Sequence, residues 1–106
     1  MPKATFGGME LEIDEDGFIQ EPEKWNEAVA EDIAKEESNV IPMGPDHWKL
    51  VKYIRDYYLQ FGVAPPVRML CKKNNFDLKY VYDMFPKGPA AGACKVAGLP
   101  KPTGCV

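Results

Sequence analysis

The sequence predicts a mainly α domain with an N-terminal β-hairpin, a helix-turn-helix-like pair and a flexible C-terminal arm. Three observations lead there. Apolar residues recur at three- and four-residue steps through the middle of the chain. A Gly-Gly pair near the start separates two short stretches of β-compatible residues. The last twenty-one residues hold four prolines and four glycines, and no Asp, Glu, Ser or Gln. The division expected is a helical domain with its hairpin over residues 1–85 and an arm over 86–106.

Ala4-Thr5-Phe6, Gly7-Gly8 and Met9 to Ile13 read as the hairpin, since Gly-Gly accepts the positive φ of a tight turn and Met9, Leu11 and Ile13 alternate with glutamates. Asp14 to Gly17 is a further turn, and its acids lack the remaining ligands of a calcium loop. A first helix is expected from about Pro22 to Glu37, with Trp25, Ala28, Val29 and Ile33 on one face. Asp46 is expected to cap a stronger helix from about His47 to Phe61, stopped by Gly62. Trp48, Val51, Ile54, Tyr58 and Phe61 form its main stripe, and Leu50, Tyr53 and Tyr57 a second one. His47, the single histidine, reads as a surface residue beside that cap.

Pro65-Pro66 opens a short helix to about Lys73, and Asp77 caps another from Leu78 to Phe85. With Arg68, Lys72, Lys73 and Lys79, this pair suggests a helix-turn-helix and makes DNA a rival partner. Against that reading, Tyr80, Val81, Met84 and Phe85 serve packing, and Lys79 is the one long donor on the would-be reading helix. Cys71, beside Leu70 and four residues after Val67, reads as a small core residue.

Residues 1–46 carry thirteen acids and three bases, and residues 47–106 three acids and ten bases. Such a split suggests two electrostatic faces, or two halves that attract each other in the fold. No stretch approaches the length of a membrane-spanning helix and no secretory signal opens the chain, so a cytoplasmic protein is expected, with thiols rather than structural disulfides.

The arm carries the chemistry. Cys105 is the last residue but one and Cys94 lies eleven residues before it. Prolines 86, 89, 100 and 102 and the four glycines should break any helix or strand between them. Fully extended from Pro86, the arm would reach roughly 60 Å. Cys105 could therefore enter a partner's cleft or fold back on its own domain. A thiolate there can attack or accept sulfur, and a second thiol can close on it. Closing that loop costs roughly 3 kcal/mol of chain entropy. Zinc does not fit, because the three cysteines are spaced by twenty-three and eleven residues. No cofactor or metal site is expected on the chain itself.

Gly92-Ala93-Cys94-Lys95-Val96-Ala97-Gly98-Leu99-Pro100-Lys101-Pro102-Thr103-Gly104-Cys105-Val106 resembles the C-terminal arm of the DsrC family. The likeness continues through Trp48, Asp56-Tyr57-Tyr58, Gly62 to Arg68 and Val81 to Pro86. The resemblance implies a small orthogonal helical bundle and a sulfur carrier that is a co-substrate of dissimilatory sulfite reductase, not an independent enzyme. It implies that Cys105 takes up sulfite-derived sulfur at the sirohaem of the partner's alpha and beta subunits, and that Cys94 closes a trisulfide or disulfide. A membrane-bound thiol/disulfide reductase complex would then reduce the product, while sulfurtransferase relay proteins are the partners in sulfur oxidisers. The related TusE proteins, which pass persulfide towards transfer-RNA thiolation, generally lack the upstream thiol.

Overall fold

The computed structural model describes residues 2–38 and 43–100. Two strands and four α-helices, with a helical segment at the C-terminal side, surround one apolar core. Strands β1 (Lys3–Phe6) and β2 (Met9–Glu12) pair antiparallel, Lys3 opposite Glu12 and Phe6 opposite Met9. Gly7 and Gly8 both take positive φ between them, as the two-residue turn requires. The Gly7 amide donates to Asp32 Oδ2 at 2.6 Å and so ties the hairpin to the first helix. Asp14 accepts from the amides of Asp16 and Phe18 through Oδ1, which makes the acidic stretch a turn.

The helix expected from Pro22 is divided. A single 3₁₀ turn, Pro22–Lys24, ends in extended backbone at Trp25, and helix α1 begins only at Glu27–Ser38. Asn26 explains the break, since its side-chain oxygen accepts from the Val29 amide at 2.9 Å and so caps α1. With this start Ala28 is exposed, while Val29, Ala30, Ile33 and Ala34 are buried.

Helix α2 spans Pro45–Phe61, beginning two residues earlier than expected, with Gly44 rather than Asp46 at the cap. His47 is not a free surface residue. Its Nδ1 accepts from the Gly44 amide at 3.1 Å, so Nε2 carries the proton that meets the Met84 carbonyl at 3.0 Å. Asp46 instead accepts from the Tyr80 hydroxyl. Leu50, Val51 and Ile54 are the buried stripe, and Phe61, expected in the core, is 57% exposed and packs on the Tyr57 ring of its own helix. Gly62, at φ 75°, ends α2 as expected.

Helices α3 (Val67–Asn74) and α4 (Leu78–Met84) are the anticipated short pair. Asp77 accepts from the Tyr80 amide at 2.8 Å and caps α4. Asp77→Ala should therefore cost about 1 kcal/mol in urea unfolding; an unchanged midpoint would show that the cap is dispensable. Val81 and Met84 are buried, whereas Leu78, Tyr80 and Tyr82 are exposed and leave Lys79 as the only cation on α4. That outward face carries Leu78, Tyr80, Tyr82 and the acidic Asp83 beside Lys79, which is poor chemistry for reading base edges.

Candidate thiol site

The prolines and glycines after Met84 do not abolish helix. They delimit it. Gly88, at φ 87°, precedes a wide, π-helical turn over Pro89–Cys94, and helical backbone continues through Val96. Pro89 lies in the first turn, where its missing N–H has no partner to lose, and Gly98 stands just past the end. The expectation that these residues break any helix is thus corrected. The described part of the arm, through Pro100, is folded onto the domain, one of the two placements open to it.

Gly98, at φ 78°, closes the segment with paired reverse hydrogen bonds. The Leu99 amide donates to the Cys94 carbonyl at 3.2 Å and the Gly98 amide to that of Lys95 at 3.1 Å. The next two carbonyls are claimed from outside. Trp25 Nε1–H donates to the Val96 carbonyl at 2.8 Å, and Arg55 Nη1 to that of Ala97 at 3.1 Å. Arg55 Nη2 also reaches the Pro22 carbonyl at 2.6 Å, and its guanidinium lies 4.4 Å from the Trp25 ring centre. All four carbonyls from Cys94 to Ala97 are thereby engaged, as the end of a buried helix requires.

Small residues let this segment enter the core. A Cβ on Gly92 would stand 3.0 Å from the Phe85 Cβ, and one on Gly88 would stand 2.8 Å from the Tyr82 ring. Ala93, Cys94, Val96, Ala97 and Leu99 are all buried and belong to the same cluster as Leu50, Ile54 and Phe85. Burying the Val96 and Leu99 side chains is worth about 1.5–3 kcal/mol each. Lys95 is also buried, with its ammonium 5.0 Å from the Phe18 ring centre.

Cys94 has no solvent exposure, and burial pushes its thiol up to about 12. In this arrangement it is a neutral thiol, closed to attack. Cys105 lies outside the described residues. Only five residue steps separate it from Pro100, a contour of roughly 17 Å. Cys71 is half-buried against the core and lines a cleft of about 730 Å³ beside Arg68 and Lys72. Burial, and then the Asp77 charge, raise its pKa, so it is no activated nucleophile here.

Neither Trp25 nor Arg55 was expected from the sequence to be a site residue. Trp25 reads as one more apolar position on a helix face, and Arg55 as one more charge on α2. The separations of 71 and 42 residues from the carbonyls they meet left no local signal.

The pattern of short helices, hairpin and C-terminal thiol segment has clear relatives. A family model described as DsrC-like protein matches residues 5–106. The chain belongs to the DsrC-like family. It is 47% identical, over the whole of both chains, to the gamma subunit of a dissimilatory-type sulfite reductase from Nitratidesulfovibrio vulgaris. It is also 44% identical to sulfurtransferase TusE of Escherichia coli, across 95% of this chain and 97% of that one. The crystal structure of the oxidised gamma subunit of dissimilatory sulfite reductase (DsrC) from Archaeoglobus fulgidus superposes with a TM-score of 0.85 at 50% identity. That match covers 99% of this chain and all of the other. The DsrC-like fold expected from the arm motif and the hairpin is therefore the fold observed. Among the described residues no helix is long and apolar enough to cross a membrane.

Proposed function

We propose that this chain is a cytoplasmic sulfur carrier and co-substrate of dissimilatory sulfite reductase, not an independent catalyst. The observation that carries the reading is the full-length likeness to a sulfite reductase gamma subunit in a chain with two thiols, Cys94 and Cys105, near its C-terminus. Cys105 takes the sulfur at the sirohaem of the partner's alpha and beta subunits, and Cys94 then closes on it. The electron balance is definite. Reduction of sulfite to a trisulfide takes two electrons from the partner's reductant and two from the thiols, while the three oxygens leave as water. The product is a sulfur atom bridging Cys94 and Cys105. A membrane-bound thiol/disulfide reductase complex returns both thiols and releases sulfide. The chain itself holds no cofactor in this cycle.

A second reading has its own support in the likeness to TusE. There Cys105 alone would pass persulfide along a relay of sulfurtransferases, and Cys94 would not take part.

Intact mass separates the two readings. Protein incubated with sulfite, reductant and sulfite reductase should gain one sulfur atom and lose both thiol hydrogens, in a species abolished by Cys94→Ala and by Cys105→Ser. A persulfide that loads Cys105 equally well without Cys94 would favour the relay. If neither arm thiol changes mass, the carrier reading fails.

A further inference from the structure

The carrier cycle needs Cys94 to meet sulfur held on Cys105, yet Cys94 is fully buried. Access must come from local opening of the segment that holds it. Two kinds of interaction resist that opening. One is the apolar burial of Val96 and Leu99, which is shared with the whole core. The other is directional and local, and consists of the donors from Trp25 and Arg55 on the carbonyls of Val96 and Ala97.

Resting on the carrier reading, we propose that Trp25 and Arg55 are positioning residues that act as a clasp on the Cys94 helix. They hold its C-terminal end against the 3₁₀ turn and α2, and so set how often Cys94 becomes available to the loaded tip. The arrangement is specific to that task. Arg55 bridges two segments with one guanidinium, from Ala97 to Pro22, and sits at the negative end of the helix, where a cation is favoured. The Trp25 ring beneath the guanidinium braces it, and the same ring packs over Gly98, where a Cβ would come within 2.3 Å. Releasing both donors frees the two carbonyls at the point from which the chain leaves for Cys105. With the clasp shut, Cys94 is a shielded station on the body; with it open, the thiol can close on Cys105.

The test is site-resolved alkylation of the fully reduced, full-length chain by iodoacetamide, read by peptide mass spectrometry at Cys71, Cys94 and Cys105. Wild type should label slowest at Cys94. Arg55→Gln and Trp25→Phe should each raise the Cys94 rate about tenfold or more, the factor expected from losing hydrogen bonds to a charged group or from a buried carbonyl left unpaired. Cys71, on α3 and bonded to neither Trp25 nor Arg55, should keep its rate, and Arg55→Lys, which can restore one donor, should fall between. Trp25→Phe leaves an aromatic ring under the guanidinium while removing the N–H and part of the indole's packing, so it remains informative if Arg55→Gln folds poorly. Equal labelling of Cys94 and Cys105 in wild type would overturn the proposal. So would unchanged Cys94 rates in both variants, or a rise at Cys71 parallel to that at Cys94, which would mark general loosening. Neither sulfite nor a partner is present, so this outcome is separate from that of the sulfur-loading experiment.

Discussion

Replacing Gly98 by alanine is expected to lower the thermal unfolding midpoint by roughly 15–25 °C. Two costs add. Gly98 sits at φ 78°, where a Cβ costs about 1 kcal/mol or more. That Cβ would also stand 2.3 Å from Trp25 Cδ1 and 2.7 Å from Cγ. The half-buried ring can retreat only by giving up its Nε1–H bond to Val96 and its stacking with Arg55. Loss of that packing and of the Val96 bond brings the total to about 3–4 kcal/mol. For a domain of this size each kcal/mol moves the midpoint by about 4–8 °C. Gly62→Ala is the matched control, since Gly62 has φ 75° but an added Cβ would meet nothing within 4 Å. It should cost only the backbone part, about 1 kcal/mol. Equal losses in the two variants, measured by circular dichroism melting, would show that the approach of Trp25 to Gly98 carries no weight.

The second large effect is a loss of stability in alkali that belongs to Cys94. In the folded chain burial raises this thiol to about 12 from an ordinary 9.0. Between those values the unfolded chain gives up the proton and the folded chain keeps it, so the folded state binds more protons and stability falls as pH rises. The contribution is intact below pH 9. By pH 10 it should have fallen by roughly 1 kcal/mol, about one pKa unit's worth, and it continues to fall towards pH 12. Burial also raises Tyr53 and Cys71, and the Asp46 partner raises Tyr80, so the wild-type curve alone is a composite. The difference between wild type and Cys94→Ala in urea unfolding at pH 8 and pH 10 isolates the one thiol. A difference that does not change with pH would mean that Cys94 titrates normally and is not enclosed.

Both predictions concern residues whose importance came from different places. Cys94 was legible as a candidate because the residue type names the chemistry it can do, and its spacing from Cys105 is a property of the chain. The DsrC-like arm motif was legible for the same reason. Its burial was not, because prolines and glycines were read as interruptions when they are the start and the end of a helical segment. The position of His47 shows the same limit. Its neighbours in sequence suggested a solvated side chain, but the Met84 carbonyl, 37 residues away, takes its second ring nitrogen.

By itself the sequence determined the features that depend on a few adjacent residues: the Gly7-Gly8 turn, the Gly62 stop, the Asp77 cap and the two C-terminal thiols. These rest on backbone torsions and short-range hydrogen bonds, which each residue type constrains wherever it occurs. Only the tertiary structure decided that Ala28 and Phe61 stay exposed, where the first helix breaks, and what holds the segment bearing Cys94. Those outcomes depend on carbonyls and rings brought together over tens of residues. A donor such as Arg55 acquires its role only when the fold places an unpaired carbonyl within its reach.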